Sequence, residues 1–196
     1  MKKLLRRRDV VETLLAERKG LLVVAGLGST AWDCTAAGDS PLTFPMWGAM
    51  GNAAMVGLGL ALAQPRRRVL VITGDGEMLM GLGSLATIGA RAPRNLALVV
   101  IDNERYGETG MQETHTARGV NLARAGLACG FRGGVQVTRA GQLGTLRKAV
   151  YQRPGPFLAQ VKVTPEKLPL VLPPREGVLL KNRFRRAVLG PGSDLD

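Results

Sequence analysis

Apolar residues in this 196-residue chain gather into short runs separated by helical stretches. The runs are Leu21-Leu-Val-Val-Ala25, Leu42 to Phe44, Val69-Leu-Val-Ile72, Leu96-Ala-Leu-Val-Val-Ile101, Gly134-Val-Gln-Val137 and Gly155 to Val163. Short apolar runs without polar alternation suit strands buried on both faces. Helices are expected from near Thr30, around Met78 to Ala90 and over Arg139 to Gln152. Residues 4–18 form a further one, with Leu4, Val11, Leu14 and Leu15 roughly on one side. This alternation predicts an α/β protein, a three-layer sandwich around a six-stranded parallel sheet. The chain divides into an N-terminal helix (1–20), the sandwich domain (21–164) and a C-terminal extension (165–196).

Two stretches test the pattern. Ser40 to Pro65 carries no charge, which raises a membrane span. Its glycines and Asn52 make it small and weakly apolar, and a buried, close-packed helix fits better. The Met78 to Ala90 helix contains Gly81, Gly83 and Gly89, each costing about 1 kcal/mol relative to alanine, so tight packing must compensate. In the extension, Pro165, Pro169, Pro173 and Pro174 read as an extended linker. Gly177 to Leu189 reads as a basic helix, either docked on a neighbouring subunit or loosely attached. Disorder is expected from Gly190.

Candidate chemistry concentrates where two strands end. Val69 to Ile72 runs into Thr73-Gly-Asp-Gly-Glu77, and Leu96 to Ile101 runs into Asp102-Asn-Glu-Arg-Tyr-Gly107. Gly74 and Gly76 allow backbone angles that other residues resist, so the turn can aim N–H groups and a helix N-terminus at an anion. Asp75 offers a carboxylate and Asn103 an amide oxygen. Mg²⁺ favours a few protein oxygens plus phosphate oxygens in an octahedron. The pair reads as a Mg²⁺-diphosphate anchor.

Gly74-Asp75-Gly76 followed, after a helix and a strand, by Asp102-Asn103 resembles the signature of thiamine diphosphate enzymes in their diphosphate-binding domain. The likeness extends over roughly Leu21 to Leu189. Tyr106-Gly-Glu-Thr-Gly-Met-Gln112 is similar to the small β subunits and C-terminal domains of sulfopyruvate and phosphonopyruvate decarboxylases. The resemblance implies thiamine diphosphate and Mg²⁺ as cofactors, with Gly74, Asp75, Gly76 and Glu77 around the diphosphate. Asp75, Asn103 and the Arg105 carbonyl would be the metal ligands. It further implies that the Gly48 carbonyl accepts from the aminopyrimidine and that Met50 wedges beneath the bent cofactor; a plain core role for Met50 is the other reading. Ser29 would contact the diphosphate, cap a helix, or do both. Glu108 falls within one position of a carboxylate that yeast-type pyruvate decarboxylases hold over the reacting carbon. His115, the only histidine, lies in the same glycine-punctuated loop, with either a structural or surface role or one in proton transfer or substrate binding.

In the resembled family, the glutamate that activates the aminopyrimidine sits on a second domain of similar fold, for which 196 residues leave no room. The expectation is a β subunit, inactive alone, assembling with an α subunit that carries the pyrimidine-binding domain, as α₂β₂ or larger. The implied activity is non-oxidative decarboxylation of an anionic 2-oxoacid. Acetolactate-type ligation, oxidative decarboxylation and a non-catalytic regulatory binder are the alternatives.

Other signals narrow this picture. Gly26-Leu-Gly28-Ser-Thr-Ala31 has the form of a dinucleotide-binding turn, but no acidic residue ends the second strand. The net charge is +12, scattered without a nucleic-acid motif, so an acidic partner or anionic substrate suits it better. Cys34 and Cys129 form no Cys-x-x-Cys pair, which suits a reducing cytoplasm. Neither a signal peptide nor a membrane partner is expected.

Overall fold

The computed structural model describes residues 5–193. Strands β1 (Leu22–Ala25), β2 (Thr43–Pro45), β3 (Val69–Gly74) and β4 (Leu96–Asp102) are followed by a small antiparallel hairpin, β5 (Arg105–Tyr106) and β6 (Gln112–Glu113). Strands β7 (Gly133–Val137) and β8 (Phe157–Lys162) complete a six-stranded parallel sheet ordered β2-β1-β3-β4-β8-β7. Alternate residues of β3 and β4 face opposite layers, as strand geometry requires. Leu70, Ile72, Ala97 and Val99 pack beneath α1 (Arg7–Leu15), α2 (Ser29–Ala36) and α7 (Leu143–Gln152). Val69, Val71, Leu96, Leu98 and Val100 pack beneath α3 (Ala53–Ala63), α5 (Ser84–Arg91) and α6 (Leu122–Ala128). The three layers and the parallel sheet follow the sequence pattern.

The order of strands places the site. From β1 the chain moves outward to β2, then returns past β1 to β3. The loops leaving β1 and β3 therefore diverge and open a crevice at the carboxyl edge of the sheet, where ligands of such folds bind.

Several helices differ from expectation. The first spans Arg7–Leu15 and is shorter than residues 4–18; Leu4 lies outside the described residues. The Met78 to Ala90 helix is two, α4 (Asp75–Met80) and α5, separated by a turn. A Cβ on Gly81 would come within 2.0 Å of the Gly51 carbonyl oxygen, so glycine admits the neighbouring loop at the cost of helical continuity. Arg139 to Gln152 begins as a 3₁₀ turn before α7. Helix α3 is not buried all round. Gly57 seats its inner face against Val71, while Met55, Val56 and Leu62 remain exposed.

The extension docks on its own chain. Helix α8 (Gly177–Leu189) has the expected limits. Phe184 lies 5.5 Å from the Phe44 ring on edge strand β2, and Arg183 pairs with Asp39 at 2.5 Å. After Gly190 the chain turns back, with Arg185 donating to the Ser193 carbonyl; residues 194–196 lie outside the described region. Upstream, Thr164 N–H donates to Leu5 O (2.8 Å), Arg6 pairs with Glu166 (3.1 Å), Arg8 donates to Pro169 O (2.9 Å) and Trp47 Nε1 donates to Pro174 O (2.8 Å). The proline-rich linker is thus a strap across the carboxyl edge of the sheet. No helix among the described residues is long and apolar enough to cross a membrane.

Candidate functional site

A cavity of about 470 Å³ opens at the crevice, within the size range of small-molecule sites. Ser29, Met50, Gly74, Asp75, Gly76, Glu77, Asn103, Arg105 and Glu108 all line it. Gly48 and His115 do not: Gly48 is exposed beside Met50, and His115 is exposed at the start of a 3₁₀ turn.

Register explains the meeting of the two motifs. Gly74 pairs with Ile101 across β3 and β4, so Asp75 and Asp102 leave the sheet side by side and Asn103 follows. Gly74 and Gly76 differ from expectation, for neither has a positive φ; Gly74 is extended (φ −85°, ψ 161°) and Gly76 is helical. Packing is the reason at Gly76. A Cβ at Gly76 would strike the Tyr106 ring at 2.6 Å, and one at Gly74 would meet nothing within 4 Å, leaving room for a ligand over the turn. Gly28 is where conformation demands glycine, with φ 75° at the head of α2. No side chain caps α2. Thr30 hydroxyl donates back to Gly26 O (2.7 Å), and Ser29 hydroxyl, without a partner among the described residues, borders the cavity.

Asp75 is 1% exposed. Its Oδ2 accepts from Thr114 (2.5 Å) and lies 3.2 Å from the Thr116 hydroxyl. Burial, opposed by the Thr114 hydrogen bond and reinforced by neighbouring Asp102, lifts this carboxyl to about 6. Asp102 is fully buried yet well matched. Its Oδ2 faces Lys162 (2.7 Å) and Gln160 (2.6 Å), and its Oδ1 accepts from Glu104 N–H (3.0 Å) and Thr116 (2.7 Å). Asn103 Oδ1 accepts from Arg105 N–H (2.9 Å), leaving one carbonyl lone pair. No cage of three or more His, Cys, Asp or Glu side chains occurs among the described residues.

Glu77 turns inward. Its Oε2 accepts from Leu27 N–H (3.1 Å) and the Thr73 hydroxyl (2.8 Å), and a Cβ on Gly26 would collide with it at 2.0 Å. Its Oε1 is buried without a hydrogen bond, facing the amides of Gly51 and Ala53. Burial holds this carboxyl above the ordinary range. Glu77 thus ties together the loops carrying Ser29 and Met50. Glu108 rests against Gly28, where an added Cβ would lie 2.6 Å from its carboxylate.

Sequence reasoning passed over Arg7, Thr114, Thr116, Gln160, Lys162 and the strap. Buried Arg7 lines the cavity and donates to Ser29 O (3.0 Å) and Asp33 (2.5 Å). In sequence it stands within a basic run that reads as a solvated surface. Lys162 sits opposite Asp102 only through β4–β8 register. An acid ending one buried strand and a lysine ending another was the available hint.

Comparison with known proteins identifies the family. Residues 28–161 match the model for the thiamine pyrophosphate enzyme family, C-terminal TPP binding domain. The chain is 35% identical over 191 residues to the sulfopyruvate decarboxylase subunit beta of Methanothermobacter thermautotrophicus, covering 97% of this chain and 100% of that one. It is 38% identical over 191 residues to the phosphonopyruvate decarboxylase of Streptomyces viridochromogenes, covering 94% of this chain. There the match spans about half, 47%, of the relative's length. The benzoylformate decarboxylase of Polynucleobacter necessarius superposes with a TM-score of 0.70 at 21% identity, over 84% of this chain and 34% of that one, a likeness of fold. On these grounds the chain belongs to the thiamine pyrophosphate enzyme family, within which it corresponds to the C-terminal, TPP-binding domain.

Proposed function

We propose that this chain is the diphosphate-binding β subunit of a thiamine diphosphate- and Mg²⁺-dependent, non-oxidative decarboxylase of an anionic 2-oxoacid, of the sulfopyruvate or phosphonopyruvate type. The observation that carries this reading is the end-to-end match to a protein named as a sulfopyruvate decarboxylase β subunit, combined with a buried Asp75 beside Asn103.

The residues fit the group. Asp75, Asn103 Oδ1 and the Arg105 carbonyl hold Mg²⁺, while the open space over Gly74 and the free Ser29 hydroxyl receive the diphosphate. Met50 lies at the cavity wall, where it supports the cofactor from below. Bound thiamine diphosphate supplies the electron sink that loss of CO₂ from a 2-oxoacid requires. The β5–β6 hairpin, with Tyr106, Glu108 and Met111 on the cavity, keeps water from the reacting carbon. The exposed apolar side chains of α3 together with Met80 and Leu82 receive the α subunit, which brings the pyrimidine-binding domain and its glutamate. With His115 outside the cavity, Glu108 is the chain's better-placed carrier of a proton.

Co-expression with a pyrimidine-domain partner, followed by CO₂ and aldehyde assays on a panel of 2-oxoacids, tests the activity. The complex should release CO₂ from sulfopyruvate or phosphonopyruvate faster than from pyruvate. Asp75→Ala should abolish both turnover and Mg²⁺-dependent cofactor binding. Wild-type binding no tighter than that of Asp75→Ala would sink the cofactor site, and carboligation without net aldehyde release would sink the reaction type.

A further inference from the structure

Three cations line the cavity, and two are already engaged. Arg7 is committed to Ser29 O and Asp33, while Arg105 donates to Glu104 O (3.0 Å) and faces Glu113 at 3.5 Å. The third is Lys167, on the strap. It is exposed, and among the described residues it has neither a hydrogen-bond nor an ion-pair partner.

Its position is fixed by its neighbours. Glu166 on one side is held by Arg6, and Pro169 O on the other by Arg8. The residue between those two arginines is Arg7, whose guanidinium grips the carbonyl of Ser29. Lys167 and Ser29 thus line the same cavity, with the strap tied to α1 on either side of the arginine that holds Ser29. Of the acidic groups on the lining, Glu166 is engaged by Arg6, Glu77 by Leu27 and Thr73, and Asp75 by its threonines, while Glu108 rests against Gly28. An unmatched ammonium on a cavity wall attracts a multiply charged oxyanion.

We propose that Lys167 is a contact for the diphosphate of bound thiamine diphosphate, supplied by the C-terminal strap. The strap lies beyond residues 28–161, the part matched by the family model, so this contact is an addition to the shared diphosphate-binding domain. It rests on the reading above, that Ser29 and Asp75 face the diphosphate. It also gives the Arg6 and Arg8 contacts a purpose, since they hold the strap in register with the cavity.

The test uses the assembled complex, with Lys167→Met and Lys167→Arg, and measures thiamine diphosphate affinity by calorimetry at saturating Mg²⁺. Lys167→Met should weaken binding about tenfold without altering the thermal midpoint of the cofactor-free complex, and Lys167→Arg should restore most of the affinity. The Michaelis constant for an anionic 2-oxoacid, measured at saturating cofactor, should stay unchanged. Unaltered affinity in Lys167→Met would overturn the proposal. A raised Michaelis constant with unaltered cofactor affinity would also overturn it, assigning the lysine to the substrate's charged tail. Failure of the wild-type complex to bind thiamine diphosphate would instead defeat the functional reading itself.

Discussion

Asp75 and Asp102 leave adjacent strands side by side, both almost wholly buried, yet their surroundings differ. Asp102 is surrounded by an ammonium, an amide, a backbone N–H and a hydroxyl. Asp75 has two threonine hydroxyls and no cation within ion-pair distance among the described residues. A buried carboxylate is costly unless a positive charge or several donors match it. The fold supplies Asp102 with its cation and leaves Asp75 without one among the described residues, which is the contrast that favours Asp75 over Asp102 as the proposed metal ligand. Asp102, although it occupies a motif position, is part of the scaffold.

The largest effect should follow from removing the Asp102 counterion. Lys162 is drawn against burial toward Asp102 and Glu104, which raise its pKa above the ordinary 10.5. Its pairing is therefore complete at neutral pH and is lost only as pH rises through that raised value. Lys162→Met strands the Asp102 charge and should destabilise the chain by about 3–5 kcal/mol, read from urea denaturation at pH 7. A loss no larger than a surface substitution causes would mean that Asp102 is not held by this lysine.

Asp75→Asn should act in the opposite direction. Folding favours protonated Asp75, because the carboxyl moves from 3.8 to about 6. The stability of the metal-free chain is complete below 3.8 and declines as pH rises through 6, by on the order of 3 kcal/mol. The amide removes that decline, so at pH 7 the metal-free variant should melt higher than wild type while losing Mg²⁺-dependent binding of thiamine diphosphate. A variant that melts lower at pH 7 would place Asp75 among the scaffold groups with Asp102.

The same contrast marks what the sequence made legible. The sheet, its burial on both faces and the two strand-end motifs could be read because they are local: a run of Val, Leu and Ile, a Gly-Asp-Gly turn, an Asp-Asn pair. Asp75 and Asn103, which line the cavity, were read this way, and so was the span of α8. The matching of charge was not local. Lys162 meets Asp102 through strand register, Thr114 and Thr116 return to Asp75 from beyond a hairpin, and Arg7 is buried only because α1 lies across α2. Composition could not distinguish that arginine from its exposed neighbours. His115 shows the reverse case: its chemistry suits proton transfer, but it is exposed at the start of a 3₁₀ turn outside the cavity. The role of Gly76 was misjudged for a related reason, since its close approach is to the Tyr106 ring packed above it, and φ alone does not reveal it.

The finest test of the comparison lies at Thr116, whose hydroxyl is near both carboxylates but carries one proton. Asp102 Oδ1 is 2.7 Å away and Asp75 Oδ2 is 3.2 Å away, while Thr114 already donates to Asp75 at 2.5 Å. The shorter path assigns the Thr116 proton to Asp102. Thr116→Val should then cost about 1–2 kcal/mol, less than the loss of Lys162, because three donors to Asp102 remain. In double-mutant cycles measured by denaturant unfolding, Thr116→Val should couple to Lys162→Met, since both act on one buried charge, and should add independently to Asp75→Asn. Coupling to Asp75→Asn alone would reverse the assignment. Thr116 would then serve Asp75, and Asp102 would depend on its lysine, glutamine and backbone donor alone.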